Sequence, residues 1–217
     1  MPGGRAARLR DGRGLMMASK KPTRFCRWFR VVPMVALAVA FAGSATLAAS
    51  PTTLVAQAFY PVKYAVQIEE SAARHGVDPL LAAAVVKCES NWDEGAESSA
   101  GAVGLMQVMP STAAELAERG LVDGGAYDSD SLSDPVVNIE YGCAYLGVLQ
   151  NELSSSDEVI CAYNAGLAAV QGWLEEGGSV PENVSYSETK YYLERVKAAY
   201  EGYQKSYPDG LTASSAS

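Results

Sequence analysis

The stretch Leu81–Pro110, LAAAVVKCESNWDEGAESSAGAVGLMQVMP, decides how this chain is read. It opens with an apolar run interrupted only by Lys87 and ends that run in a single acid, Glu89. A small polar turn follows, then a Gly/Ala/Ser-rich loop, then Gly104-Leu105-Met106-Gln107, closed by Pro110. A carboxylate at the end of an apolar helix is costly to ionise. Burial raises its pKa and keeps a proton on it near neutral pH, as a general acid requires. Taken alone, Glu89 reads first as a solvated residue at a frayed helix end, and only its neighbourhood argues otherwise.

Outward from that stretch the pattern is helical. Pro61 fits the first turn of a helix carrying Tyr64, Ile68 and Ala72 on one face and ending at His75-Gly76. Asp78 is an N-cap with Pro79 at the first helical position, for the helix that buries Leu81, Ala84, Val85 and Cys88. Thr112-x-x-Glu115 predicts a capping box for a short helix running to Gly120. Asp134-Pro135 repeats the cap-plus-proline start for a longer helix bearing Ile139, Ala144, Leu146 and Leu149. Ser155-x-x-Glu158 opens the next, with Ile160 and Tyr163, and Trp173 belongs to a short helix ending at Gly177-Gly178. Ser185-x-x-Glu188 opens the last, bearing Tyr192, Val196, Ala199 and Tyr203. No segment sustains period-two alternation, so the expected class is all-α, with almost no sheet.

Charge divides the chain. Nine of the 17 Lys and Arg lie at or before Arg30, with only one of the 25 acids, Asp11. The remainder carries eight bases against 24 acids, a formal charge of −16. Such a domain repels polyphosphate, so no nucleic-acid partner is expected. Any anionic partner should be bound better as salt is raised, because screening weakens the repulsion. Residues 31–49 are apolar and uncharged, which after the basic segment 1–30 reads as a secretory signal or a membrane anchor. Ala40-Phe41-Ala42 favours cleavage and the length of the run favours an anchor. Met16 or Met17 is an alternative start. Cys26 precedes the run, so no lipid-attachment cysteine follows it. The flank charge puts the rest of the chain outside the cytoplasm, secreted or held on the outer face of the membrane. Residues 50–59 form a spacer, 60–207 the folded domain and 208–217 a polar tail.

Cys88, Cys143 and Cys161 occupy helical positions that suit small buried residues, and packed thiols are the preferred reading. A Cys143–Cys161 disulfide on successive helices is the alternative. With one histidine, His75, a helix away, neither a cysteine nucleophile nor a zinc site is expected, and no metal or cofactor.

Four motifs occur in order: Glu89-Ser90 with Ser98 nine residues on; Gly104-Leu105-Met106-Gln107-x-Met109-Pro110; Ala162-Tyr163-Asn164-Ala165-Gly166; and Glu188-Thr189-Lys190-x-Tyr192. Together they resemble the lytic transglycosylase family, of the soluble lytic transglycosylase (SLT) kind, over roughly residues 60–207. The last motif departs from the family's Glu-Thr-Arg-x-Tyr at Lys190, and Lys cannot reproduce the planar fork of Arg. The resemblance implies one lysozyme-like helical domain, expected as a monomer, with a groove for peptidoglycan glycan strands. It implies that Glu89 protonates the glycosidic oxygen between N-acetylmuramic acid and N-acetylglucosamine. The same side chain then takes the C6 hydroxyl proton and closes a 1,6-anhydro ring without water.

In that scheme Tyr163 is the second catalytic residue, expected to hydrogen-bond Glu89. Ser90, Ser98, Gln107, Met109, Asn164 and Glu188 are the expected substrate contacts. Trp92 is expected to pack and not to stack on sugar. A goose-lysozyme-like hydrolase would need a second carboxylate. Asp93, Glu94 and Glu97 are the nearby acids, and all three read as solvated loop charges. An inactive wall-binding module would be expected to lack Glu89, which is present.

Overall fold

In α2, Pro79–Glu89, six consecutive residues from Leu81 to Val86 are buried. A helix without a polar face has to be covered on all sides, and the rest of the fold is arranged to do that. The computed structural model describes residues 59–176, 180 and 187–213. These comprise α1 (Ala65–His75), α2, α3 (Pro110–Glu118), a 3₁₀ turn (Ser129–Ser131), α4 (Pro135–Glu152), α5 (Ser156–Ala165), α6 (Leu167–Glu175) and α7 (Ser187–Ser206). Among the described residues there is no named strand, only isolated bridges Glu97–Val103 and Val103–Val108. None of these helices is long and apolar enough to cross a membrane. The basic segment, the apolar run 31–49 and most of the spacer lie outside the described residues.

α7 packs along α2 and also against α5, while α1 lies on α4. Like α2, α4 is buried nearly all round, from Asn138 through Ala144 and again at Leu146 and Leu149. The chain entering α1 is stitched to the end of α7. Tyr207 donates to the Tyr60 carbonyl at 2.8 Å, and the Tyr60 and Tyr203 rings meet edge to face. Asp78, the N-cap of α2, also accepts a short bond from Tyr200 of α7.

Local chemistry accounts for most helix ends. Asp78 and Asp134 cap α2 and α4, each followed by proline, and Ser155 and Glu158 form a full capping box on α5. Two starts differ from expectation. α1 begins at Ala65 and not near Pro61, because Tyr64 is left-handed (φ 55°), which no helix interior tolerates. α3 begins at Pro110, with Met109 as N-cap and no side-chain cap, so Thr112 and Glu115 lie inside the helix. The proline, preorganised for a first turn, takes precedence over the box. α6 buries Trp173 as expected, while the glycines proposed to end it and the Ser185 cap of α7 fall outside the described residues. The tail expected from residue 208 is packed as far as Thr212: Leu211 is buried and Thr212 bonds Glu69 through both its N–H and its hydroxyl.

Among the described residues Cys88, Cys143 and Cys161 are free thiols. The Cys143–Cys161 disulfide considered from sequence is absent; both side chains are buried in apolar surroundings, and burial pushes them up to about 12 and about 11.

Candidate active site

Glu89 is the last residue of α2, and the chain turns back at once: Asn91 and Trp92 are left-handed, with φ of 51° and 66°. Non-glycine residues adopt this conformation only where their surroundings enforce it. Trp92 is held by burial and by the bond its Nε1 donates to the Tyr203 hydroxyl at 3.0 Å, so it packs and is not open to sugar. The reversal sends residues 93–108 across the end of α2 as a loop.

Burial pushes the Glu89 carboxyl above its ordinary value. A hydrogen bond from Tyr192 and the charge of Arg195 pull it back only in part. The Tyr192 hydroxyl donates to Glu89 Oε1 at 2.6 Å across 103 residues of sequence. Tyr192 is itself buried on α7, with its phenol driven well above the ordinary range by burial and by the adjacent carboxylate, so it remains a donor.

Tyr163 was expected to hold Glu89 and does not. Its hydroxyl donates to the Met106 carbonyl at 2.8 Å. An O–H has one hydrogen to give, and here it fastens α5 to the Gly104–Gln107 loop. Tyr163 still borders the acid closely enough for the Glu89 charge to help raise its own phenol, after burial. Tyr192 is thus the partner that sequence reasoning missed, although it stands as the final residue of the fourth motif.

The loop is built on Asn138, a fully buried side chain of α4. Its Oδ1 accepts from Met106 N–H at 2.7 Å, and its Nδ2 donates to Val103 and Leu132 carbonyls at 2.7 and 2.9 Å. Gly104 (φ 77°) lies flat against this amide: a Cβ there would sit 2.5 Å from Nδ2. Gln107, left-handed at φ 49°, spends both hydrogens of its amide on the carbonyls of Ala96 and Gly104. Its Oε1 is the remaining acceptor of the amide. Ser90 bonds the Leu105 carbonyl at 2.8 Å, closing α2 onto the same loop, and Ser98 accepts from Ala102 N–H at 2.9 Å. Both serines therefore support the loop in this structure.

Met109 and Asn164 are exposed, and Asn164 Oδ1 accepts from the buried Thr189 hydroxyl at 3.0 Å. Glu188 is exposed in the first turn of α7. Lys190 lies apart, in a shallow opening shared with Asp157, Leu193 and Lys197. Of the loop acids, Asp93 caps Gly95 N–H, Glu94 faces Lys63 and Tyr64, and Glu97 is exposed. Among the described residues no three His, Cys, Asp or Glu converge as metal ligands.

The profile of the Transglycosylase SLT domain family matches residues 67–185, which contain Glu89 and the first three motifs. The chain is similar to membrane-bound lytic murein transglycosylase C of Haemophilus influenzae, 37% identical over half of this chain and 32% of that protein. It is similar to the soluble lytic murein transglycosylase of Escherichia coli, 32% identical over 67% of this chain and 23% of the relative. The matched part of the chain thus spans less than a third of the length of these relatives. The solved structure of the 70-kDa soluble lytic transglycosylase of Escherichia coli superposes with a TM-score of 0.65 at 27% identity, covering 72% of this chain and 26% of that one. The mainly helical, lysozyme-like architecture is common to both.

Proposed function

Because the chain belongs to the Transglycosylase SLT domain family, we propose that it is a peptidoglycan lytic transglycosylase in which Glu89 is both the acid and the base. The observation that carries the proposal is the pairing of a half-buried Glu89, its carboxyl raised by burial, with the Tyr192 hydroxyl. Tyr192 gives its hydrogen to Oε1, so Oε1 is the acceptor oxygen of the acid and Oε2 is the oxygen left to carry the proton. Glu89 Oε2 protonates the bridging oxygen between N-acetylmuramic acid and N-acetylglucosamine, and the muramoyl N-acetyl group assists from the opposite face. The carboxylate then formed keeps the Tyr192 bond, which is stronger to an anion. It accepts the C6 hydroxyl proton as the 1,6-anhydro ring closes. Burial favours the acid and Tyr192 favours the base, so one side chain can serve both steps.

Met109, Asn164 and Glu188 are exposed and half-buried Gln107 keeps its Oε1 as an acceptor, which supports all four as substrate contacts. The hydrolytic alternative lacks a candidate base, since Asp93 and Glu94 are engaged elsewhere and Glu97 is a solvated loop charge. The enzyme acts outside the cytoplasm, either secreted or anchored through residues 31–49.

Glu89→Gln retains shape and removes the transferable proton. We expect a loss at or beyond the upper end of the roughly 10²–10⁴-fold worth of general acid catalysis. The muropeptides released by the unaltered chain should be lighter by one water than hydrolysed ends, read by mass spectrometry. Reducing muramic ends would refute the non-hydrolytic reaction, and an active Glu89→Gln variant would remove Glu89 from it.

A further inference from the structure

Two hydroxyl groups of α7 reach across to other helices at the candidate site. Tyr192 gives its hydrogen to Glu89 Oε1 on α2 at 2.6 Å, and Thr189 gives its hydrogen to Asn164 Oδ1 on α5 at 3.0 Å. Both donors are buried. Three residues apart on one helix, they lie on the same face, with Cβ atoms about 5–6 Å from each other. α7 packs against α2 and α5 together, so this one face holds both the acid and the amide. Asn164 also follows Tyr163, whose phenol feels the Glu89 charge and whose hydroxyl fastens the Met106 carbonyl. The Asn164 amide is therefore a neighbour of the acid.

A carboxamide has an acceptor end and a donor end, and half a turn of the side chain exchanges them. The Thr189 hydroxyl selects one of the two settings, because its hydrogen goes to Oδ1. Nδ2 keeps both of its hydrogens, and among the described residues it bonds no protein group, while the side chain is exposed. Gln107 is fixed the opposite way: the Ala96 and Gly104 carbonyls take its hydrogens and Oε1 is left as the acceptor. We propose that Thr189 is a positioning residue that holds Asn164 as a hydrogen-bond donor to an acceptor oxygen of the glycan strand, without touching the strand itself. The proposal rests on the lytic transglycosylase reading and adds to it the residue that sets the polarity of one contact. Burial suits Thr189 to this task, since its hydroxyl has little water to turn to in place of Oδ1. An exposed amide without that bond would spend part of its time with its ends exchanged, presenting oxygen to oxygen.

The test is the kinetics of full-chain variants on peptidoglycan. Asn164→Ala should raise KM about two- to tenfold, the worth of one neutral hydrogen bond, with kcat little changed. Thr189→Val keeps the shape without the hydrogen and should produce most of that rise, and Thr189→Ser, which keeps the hydroxyl, should recover it. In the Asn164→Ala background Thr189→Val should add nothing, because no amide is left to orient. Asn164→Asp still accepts from Thr189 but has no hydrogen to offer, and it should raise KM at least as far as Asn164→Ala. An unchanged KM in Thr189→Val, or a rise that persists in full in the Asn164→Ala background, would make Thr189 a packing residue and overturn the proposal. Asn164→Asp working as well as the unaltered chain would overturn the donor role. The same substitutions in the Glu89→Gln chain, titrated with a soluble glycan fragment, read binding without turnover and should weaken it in the same order; a different order overturns the proposal. Failure of the unaltered chain to release anhydro ends would count against the reaction alone, because the order of binding is read independently of it.

Discussion

Replacing Gly104 by alanine should cost this protein far more than the same change three residues earlier. At Gly104 the added Cβ would lie 2.5 Å from Asn138 Nδ2, 2.7 Å from its Cγ and 3.0 Å from the Leu132 carbonyl oxygen. The Asn138 amide cannot swing aside, because three hydrogen bonds to Met106, Val103 and Leu132 hold it and all would be lost in a buried place. The left-handed backbone costs an alanine roughly 1–2 kcal/mol, and forced overpacking adds roughly 1–3 kcal/mol. A loss of about 3–4 kcal/mol is expected. Gly101 is also left-handed (φ 87°), but a Cβ there meets nothing within 4 Å. Gly101→Ala should therefore show the backbone part alone, roughly 1–2 kcal/mol. Asn138→Ala should itself destabilise by several kcal/mol through unpaired buried groups, at about 1–3 kcal/mol each. The double variant should be less destabilised than the sum of the two, since alanine at 138 vacates the space that the new Cβ needs. Equilibrium urea unfolding of the full chain measures all four, with unchanged slopes as the control. Equal losses at Gly101 and Gly104, or strict additivity with Asn138→Ala, would show that the amide does not support the loop.

Tyr192→Phe removes the bond that favours ionised Glu89 and leaves only the Arg195 charge to oppose burial, so the carboxyl rises further. The alkaline limb of the activity profile should move to higher pH with a reduced rate, and a limb that stays or moves down contradicts the pairing. Burial alone would raise Glu140, but bonds from His75, Arg74 and Ser71 overcome it and hold it at about 2. A carboxyl lowered from 4.5 contributes stability that is complete above that value and lost as pH falls toward 2. At about 1.4 kcal/mol per unit the contribution is on the order of 3 kcal/mol. Acid unfolding curves should lose this component in Glu140→Gln. Cys143 and Cys161 should resist a thiol-specific reagent in the native protein and react on unfolding, whereas a linked pair found by mass after oxidation under native conditions would contradict their separate burial.

The parts of the fold that were legible in sequence are those specified by neighbours in the chain. Asp78-Pro79, Asp134-Pro135 and Ser155-x-x-Glu158 each satisfy free N–H groups within one turn, and each marks a real helix start. Errors arose where two local signals competed, as between Pro110 and Thr112, or where packing imposed a backbone that propensity disfavours, as at Tyr64. Glu89 stood out only through its neighbourhood, because an acid at the end of an apolar helix is by itself as readily a solvated one, and the loop and motif that follow supply the signal. Its partner did not, since Tyr163 and Tyr192 both stand in motifs and only the packing of α7 on α2 decides between them. Asn138 was invisible for a related reason. One asparagine in an apolar helix carries no local signature of the three backbone groups, from residues 103, 106 and 132, that it gathers.

The union of α2 with α7 also has a temporal side. Glu89 is made early in the chain, but the tyrosine that holds it comes 103 residues later, and the Trp92–Tyr203 bond closes over 111. Until residues 187–203 have been made and have docked, α2 has no cover on that side. Its terminal acid then stands in water, with ordinary acidity and no fixed rotamer. A growing chain therefore carries Glu89 without the tyrosine bond or the burial that set its acidity in the folded domain. The bond and the cover arrive together when α7 docks, so the setting of the acid is completed by a segment made long after the acid itself.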